Sequence, residues 1–532
     1  MEQDESLHVR ASREQCEQCL VKSCACHQRA EAERRMQDSA KNTIRCPLRE
    51  QKRSKTKFND QNDLLGRLPI EVVIHIFAFC IDRTETSSIY RTFEMPSKKL
   101  FHFTLGEVCC TWRHIVWSYP HFWKEIPIFL QQCATSPSQV AFFQERIDRS
   151  GQLPLSVWIN LKMDWLEIID VESDLTSSII DPLIPMLNSV AHRWLFLYAK
   201  IPSIHLSQLR LENERGSQLK ELILQPIDDH EMEIEDRRFD LGVPVCPQVL
   251  QVSCYELQNL RLEWNNLTDF HGSNLSRDDC VALFEWAPQL LKCNLSDLMF
   301  TDSDVFFTKH VVNFTVKTFL IDAHEEIFSA LTLPALQELH CGLSEDDFAH
   351  VLSDFVVRSG CNLEAASFSS SNGDDHDLID FLYLIPSLKR LTLSDIEIGH
   401  TFLSRLGETS FVHTDDNATH LLPHLQHFDY CYLRYFEWSS VADMSPIVSP
   451  QPGMVRRRLN SIHFEIECEL ERGAPVPGAV GWPKKRGQVI DRKTLERMLE
   501  IIDSGVDLRI IEVNWNRDII QVSKKYHRLG VD

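Results

Sequence analysis

The 532-residue chain has no uninterrupted apolar run of about 18 residues, so no helix able to cross a bilayer is expected. Its opening, MEQDESLHVRASREQ, is charged and has no apolar centre, which is not the pattern of a secretory signal. Glycine is scarce, 18 in all, leaving few turns to cradle a phosphate. A Gly-rich loop ending in Lys-Ser/Thr, an H-E-x-x-H helix and a G-x-S-x-G elbow are all missing. The 22 histidines are dispersed, so no catalytic residue, cofactor or metal is assigned and no enzyme is expected, although triads are set by geometry and not by order. Basic excess is lacking too. With 55 Lys and Arg against 77 Asp and Glu the net charge is −22, which excludes a general nucleic-acid-binding face. The 17 cysteines are scattered, and without an export signal they read as free thiols of an intracellular protein, cytoplasmic, nuclear or both. In that setting the Asn-x-Ser/Thr triplets carry no glycan.

What is present falls into three textures. Residues 1–60 are polar, rich in Arg, Glu, Gln and Lys, and have too little to bury, so they are expected to be a disordered tail. Residues 61–130 hold a compact helical pattern. Residues 131–532 repeat a short phrase: LKELIL at Leu219, LQNLRL at Leu257, LLKCNL at Leu290, VKTFLI at Val316, LQELHC at Leu336, LEAASF at Leu363, LKRLTL at Leu388, LQHFDY at Leu425 and LNSIHF at Leu459. Alternating apolar positions mark half-buried strands, and prolines announce several copies, as in APQL, LPAL, IPSL and LPHL. Helix-like stretches such as DDFAHVLSDFVV and RKTLERMLEII lie between copies. The spacing, roughly 20 to 38 residues, suits a divergent leucine-rich-repeat-like solenoid. Its units stack because none can bury its apolar face alone, and its terminal units are atypical. A run of ordinary βα units is the other reading. The expected fold class is therefore α+β and multi-domain: a small all-α module, then an irregular α/β solenoid with an arc of parallel strands.

The helical module raises a question of area. LLGRLPIEVVIHIFAFC starts a helix beside Pro69, where an absent N–H costs nothing. Ile70, Val73, Ile74, Phe77 and Ile81 share one face, while Val72, Ile76, Phe79 and Cys80 take much of the remainder. A second helix, LGEVCCTWRHIVWS, puts Leu105, Val108, Cys109, Trp112 and Val116 on one stripe and stops before Pro120. Trp123 follows. So much apolar surface exceeds what a core of about sixty residues can hide, and the surplus is expected to be an interface for a partner protein.

These residues carry a resemblance. LPIEVVIHIF followed by VCCTWRHIVWSYPHFWKEI resembles an F-box, with the Leu-Pro start, the acidic third position, the Ile-Phe pair, Val-Cys-x-x-Trp-Arg and the closing Trp. An inserted loop at about 82–103, longer than the usual connection, is similar to the large F-box family of mushroom-forming basidiomycete fungi. FFQERIDRSGQLPLSVWIN and MLNSVAHRWLFLYAK are similar to that family's next phrases, which place strands at SG-x-LPL and HRW. The resemblance implies a substrate-recognition subunit of a cullin–RING ubiquitin ligase, without catalytic groups of its own. The module would dock on the SKP-type adaptor, and through it a cullin, by Leu68, Pro69, Val72, Ile76, Phe77, Val108, Cys109, Trp112 and Trp123. The repeats would hold a target protein. Strand alternation offers Lys220, Gln258, Arg261, Gln337, Lys389, Thr392 and His427 as its contacts.

Other readings stay open at this point. The module could instead be the N-terminal cap of a non-ligase repeat scaffold. Cys16, Cys19, Cys24, Cys26 and His27, with Cys46 nearby, have a zinc-like first pair but too short a loop before the second, so exposed thiols are the simpler expectation. KRSKTK and GWPKKRGQ are either import addresses or solvated loops, and DDHEMEIEDRRFD and NGDDHD read as acidic loops.

Overall fold

The computed structural model describes residues 68–82, 101–130, 134–162, 173–211, 217–227, 237–299, 309–322, 327–343, 348–370, 375–396, 398–408, 411–413, 420–432, 438–444, 454–457, 459–466 and 489–528. The N-terminal cysteine cluster and both basic runs lie outside the described residues, as do residues 228–236 of the first acidic loop and 372–374 of the second. The chain divides into two compact units, residues 1–116 and 117–532. The second therefore starts earlier than the 131 expected from the sequence.

The described part of the first unit is helical, with α1 (Ile70–Asp82), α2 (Phe101–Val108) and α3 (Cys110–Ser118), the last running across the division. The second unit alternates strands and helices. β1 (Glu125–Leu130) leads to α4 (Pro137–Arg149), β2 (Leu155–Leu161) to α5 (Ser173–Ile180) and α6 (Ile184–Ser189), and β3 (Trp194–Lys200) to α7 (Ser203–Leu206). Then come β4 (Glu221–Leu224), β5 (Val249–Ser253), β6 (Asp269–Ser273), α8 (Arg277–Trp286), β7 (Lys292–Ser296), β8 (Val311–Val312) and β9 (Thr318–Asp322). They are followed by α9 (Ile327–Ala330), β10 (Leu331–Thr332), β11 (Glu338–Leu343), α10 (Phe348–Ser359), β12 (Ala365–Ser370), α11 (Asp375–Tyr383), β13 (Arg390–Ser394) and α12 (His400–Glu408). The chain closes with β14 (Phe411–His413), β15 (His427–Tyr432), α13 (Trp438–Asp443), β16 (Met454–Arg456), β17 (Ser461–Ile466), α14 (Arg492–Asp503), β18 (Asp507–Glu512), β19 (Arg517–Asp518) and α15 (Ile519–His527).

Fifteen strands form one open sheet in the order β1-β2-β3-β4-β5-β6-β7-β9-β11-β12-β13-β15-β17-β18-β19; β8–β10 and β14–β16 are separate pairs. Each strand of the large sheet thus lies beside its neighbour in sequence. Pairing is parallel except for β18–β19, an antiparallel return at the C-terminal end. At the other end β1 carries Pro127, a residue an edge strand tolerates because it cannot donate to a ladder.

Alternation sets the two faces. In β13, Leu391 and Leu393 are buried while Thr392 and Ser394 are half-exposed, and β7, β9 and β15 repeat the pattern. The buried set of strands and helices forms one continuous apolar core from Ile126 to Ile520. Eight of the nine repeated phrases contribute a strand. LQNLRL does not: Leu257–Asn259 is a 3-10 turn, and Leu260 and Leu262 make only isolated bridges to Phe239 and Val245. The sheet is carried there by VLQVS and DFHGS, which lack the leading phrase.

Register is held by a shared acceptor. The carbonyl one residue before each central strand takes two N–H groups from the next unit. Lys220 O accepts from Gln248 at 2.7 Å and Val249 at 2.9 Å, Gln337 O from Glu364 at 2.8 Å and Ala365 at 3.0 Å, and Lys389 O from Gln426 at 2.8 Å and His427 at 3.0 Å. The far ends are set by left-handed backbone at Cys254, Asn274, Asp297 and Asp395, each following a strand-ending serine. Asn and Asp tolerate that conformation best after glycine.

Local sequence explains the helix ends. Ser136 and Gln139 form a capping box on α4. Asp491 Oδ1 accepts the Thr494 N–H at 3.0 Å on α14. Both helices stop at Ser-Gly, with Gly151 and Gly505 at positive φ. Arg193 of the HRW phrase, its pKa lowered by burial, donates to Leu153 O at 3.0 and 2.9 Å and to Ser150 Oγ at 2.5 Å. It thereby pins the SG-x-LPL phrase to its neighbour. Arg146 and Arg457 are likewise buried, donate to backbone carbonyls, and have their pKa lowered to about 10 by burial.

Gly407 marks a close approach of α12 to α13, since a Cβ there would lie 2.1 Å from Asp443 O, a backbone atom that cannot rotate away. Gly407→Ala is expected to destabilise the sheet unit by about 3 kcal/mol, read as a lower urea midpoint.

Candidate functional site

Two surfaces come out of this architecture: the helical unit and the open face of the sheet. α1 starts just after Pro69, whose carbonyl accepts the Val72 and Val73 N–H groups at 3.0 and 3.2 Å. Because side chains three or four apart share a face, α1 carries two apolar stripes about one residue step apart. Val73 and Phe77 are buried, Phe77 to 1% exposure. The second stripe faces outward, with Val72 40%, Ile76 37% and Phe79 59% exposed, and Leu68 beside it is 39% exposed. Pro69 is exposed as well.

The expected second helix is in fact two. α2 begins at Phe101, inside the segment assigned to the inserted loop, and ends at Val108; α3 starts at Cys110. Val and Cys are weak helix formers, and Cys109 acts as a cap: its Sγ accepts the Trp112 N–H at 3.4 Å and its carbonyl the Arg113 N–H at 3.0 Å. The break divides the expected stripe. Leu105 and Val116 are buried, Trp112 is half-buried against Phe77 with ring centroids 4.8 Å apart, Cys109 is exposed, and Val108 is 58% exposed.

The nine residues matched to an adaptor-contacting pattern therefore separate. Leu68, Pro69, Val72, Ile76, Val108 and Cys109 are exposed; Phe77 is core and Trp112 half-buried on it. Trp123 belongs to the sheet unit, is 2% exposed, and stands edge-on to Trp117 at 5.4 Å with the Arg149 guanidinium 5.2 Å from its ring centre. A closing tryptophan so packed is a core residue, which corrects its assignment to the interface.

The seven suggested target contacts also separate. Lys220, Gln337 and Lys389 occupy the register-setting position just before a strand. Thr392 and His427 lie on the open face, His427 Nδ1 2.8 Å from Ser461 Oγ. Gln258 and Arg261 are off the large sheet, with Arg261 paired to Asp240 at 3.2 Å.

Register shows what alternation alone did not. One row across the open face reads Gln251, His271, Asn294, Leu320, His340, Ser367 and Thr392, then Asp429, His463 and Arg509. His271, its pKa lowered by burial against a smaller opposing effect of Asp322, contacts Asn294 at 3.2 Å. His463 bridges Asp429 at 3.0 Å and Asp507 at 3.5 Å. Asp507 also pairs with Arg509 at 2.8 Å, and the hydrogen bond from Arg509 is the main cause of its lowered pKa. The strand-ending serine before an Asn, Asp or Cys was the sequence signal that could have placed β5 and β6.

Among the described residues no cluster of three or more His, Cys, Asp or Glu is arranged to hold a metal ion, and no helix is long and apolar enough to cross a membrane. The chain matches no protein-family model, and no curated protein is significantly similar to it.

The two stripes of α1 separate by energy. Phe77→Ala is expected to cost about 3–5 kcal/mol of stability, whereas Ile76→Ala costs under about 1 kcal/mol, compared by chemical denaturation of the full chain.

Proposed function

We propose that this chain is an F-box substrate receptor of a cullin–RING ubiquitin ligase, whose helical unit docks on the SKP-type adaptor while the strand repeats, read as a divergent leucine-rich-repeat-like solenoid, hold a target. The observation that carries the reading is the exposed stripe of α1. Leu68, Val72, Ile76 and Val108 keep large apolar side chains in solvent although Phe77 and Val116 already supply a core. Burying a fully exposed side chain of this kind contributes roughly 1.5–3 kcal/mol, and these four, 37–58% exposed, would each add a part of that on docking. The F-box-like order of Leu-Pro, Ile-Phe and Val-Cys-x-x-Trp-Arg supplies the identity of the partner.

The chain's role is positional. Holding a target beside the ligase's other subunits raises the effective concentration of its lysines, and no group of this chain enters the chemistry.

A repeat scaffold whose module is only an N-terminal cap is the second reading: a cap turns its apolar residues onto the core it seals, so polar substitution of Val72 and Ile76 would then lower stability. Val72→Asp with Ile76→Asp is expected to abolish copurification with the adaptor while leaving the melting temperature within about 2 °C of wild type. Wild-type chain that does not bind the adaptor at micromolar concentration would refute the reading.

A further inference from the structure

Cysteine is distributed unevenly between the two units. Among the described residues the three exposed cysteines, Cys80, Cys109 and Cys110, all lie in the helical unit, and those of the sheet unit are buried or half-buried. Burial pushes the Cys361 thiol up to about 11 and holds Cys280 and Cys293 above their ordinary range. Cys246, also raised to about 11 chiefly by burial, donates to Glu263 Oε2 at 2.8 Å. Thiols kept protonated by burial are weak nucleophiles and weak ligands. A soft, thiol-seeking reagent is therefore directed to the helical unit.

Two of the three exposed thiols are neighbours, and the fold gathers them at one helix start. Cys109 fills the break between α2 and α3, its Sγ folded over the first turn of α3 to accept the Trp112 N–H at 3.4 Å. Cys110 is the first residue of α3. Every Cα–Cβ bond of an α-helix tilts toward the N-terminus, so the Cys110 side chain leans back to the same end. Adjacent Cα atoms are only about 3.8 Å apart, less than the roughly 4.4 Å at which ordinary disulfides begin. Direct closure to a disulfide is strained; one large atom inserted between the sulfurs relieves it.

We propose that Cys109 and Cys110 form a dithiol site for a trivalent arsenical and, resting on the substrate-receptor reading, that filling it blocks adaptor docking. An arsonous acid, R–As(OH)2, exchanges its two hydroxyls for the two sulfurs. Two As–S bonds form and two As–O bonds break. Each thiol proton leaves with a hydroxyl as water, and arsenic stays trivalent, so no oxidant or reductant takes part. The group R is then carried beside Val108, 58% exposed and one residue from Cys109, on the surface that would meet the adaptor.

The test titrates the reduced, full-length chain with phenylarsonous acid and counts the arsenic retained after gel filtration. Peptide mass mapping is expected to find one phenylarsenic bridging Cys109 and Cys110, which separates this pair from the cysteines at 16–46. Cys109→Ser and Cys110→Ser are each expected to lose that one arsenic, and serine at 109 still offers an acceptor to the helix start. Cys80→Ser is expected to bind as wild type. Excess 2-mercaptoethanol is expected to leave the bridge in place and 2,3-dimercaptopropanol to remove it, because only a second chelating dithiol competes with a two-point attachment. In the docking arm, the arsenical is expected to lower adaptor copurification with wild type about tenfold or more, and with Cys110→Ser less than about twofold. Equal arsenic on wild type and both variants, loss with Cys80→Ser, or release by the monothiol would overturn the site. Adaptor retained with the site filled, or lost equally from wild type and Cys110→Ser, would overturn the docking consequence. A chain that binds the arsenical at 109–110 and never the adaptor overturns the ligase reading and leaves the site standing; adaptor binding with no arsenic at 109–110 overturns this proposal alone.

Discussion

A short helix in a small core has room for one buried apolar stripe, and α1 has two. Val73 and Phe77 take the interior; Val72, Ile76 and Phe79 are left in solvent a residue step away. Elsewhere in the described residues such side chains are mostly buried, with one core running from Ile126 to Ile520. With Ile70, placed by periodicity on the inner face but 52% exposed, the helix keeps four large apolar groups in water, a cost that folding alone does not offset. The reading of this protein as a docking subunit depends on that imbalance.

The sheet obeys a different constraint. Each central unit receives its register from a single carbonyl that accepts two N–H groups, so the parity of every following side chain is fixed. A shift by one residue would turn Leu391 and Leu393 outward and Thr392 inward, exchanging core for surface along the whole strand. The result is a face whose chemistry changes in steps, from Trp158 through Asn294 and Thr392 to the Asp429, His463 and Asp507 cluster.

Much of this was legible in the sequence, for reasons that can be named. Phrases of alternating apolar residues marked eight strands because a half-buried strand must alternate, and the apolar surplus of α1 followed from helical periodicity. What was missed depends on tertiary context. Cys109 reads as helix interior, yet its sulfur caps α3 and splits the expected helix. Trp123 has the look of an interface anchor, but Arg149 and Trp117 close over it. LQNLRL has the repeat phrase and forms no strand, while VLQVS and DFHGS pair without it. Spacing gives the faces of a strand, not which strand is its neighbour, so the row joining Gln251 to Thr392 needed the register.

Hydrogen exchange on the full chain, with and without the SKP-type adaptor, addresses the central point most directly. The account predicts slowed exchange confined to residues 70–80 and 108–112, with the strands of the sheet unchanged. A complex that leaves α1 exchanging as in the free chain, or no complex at all, would contradict it.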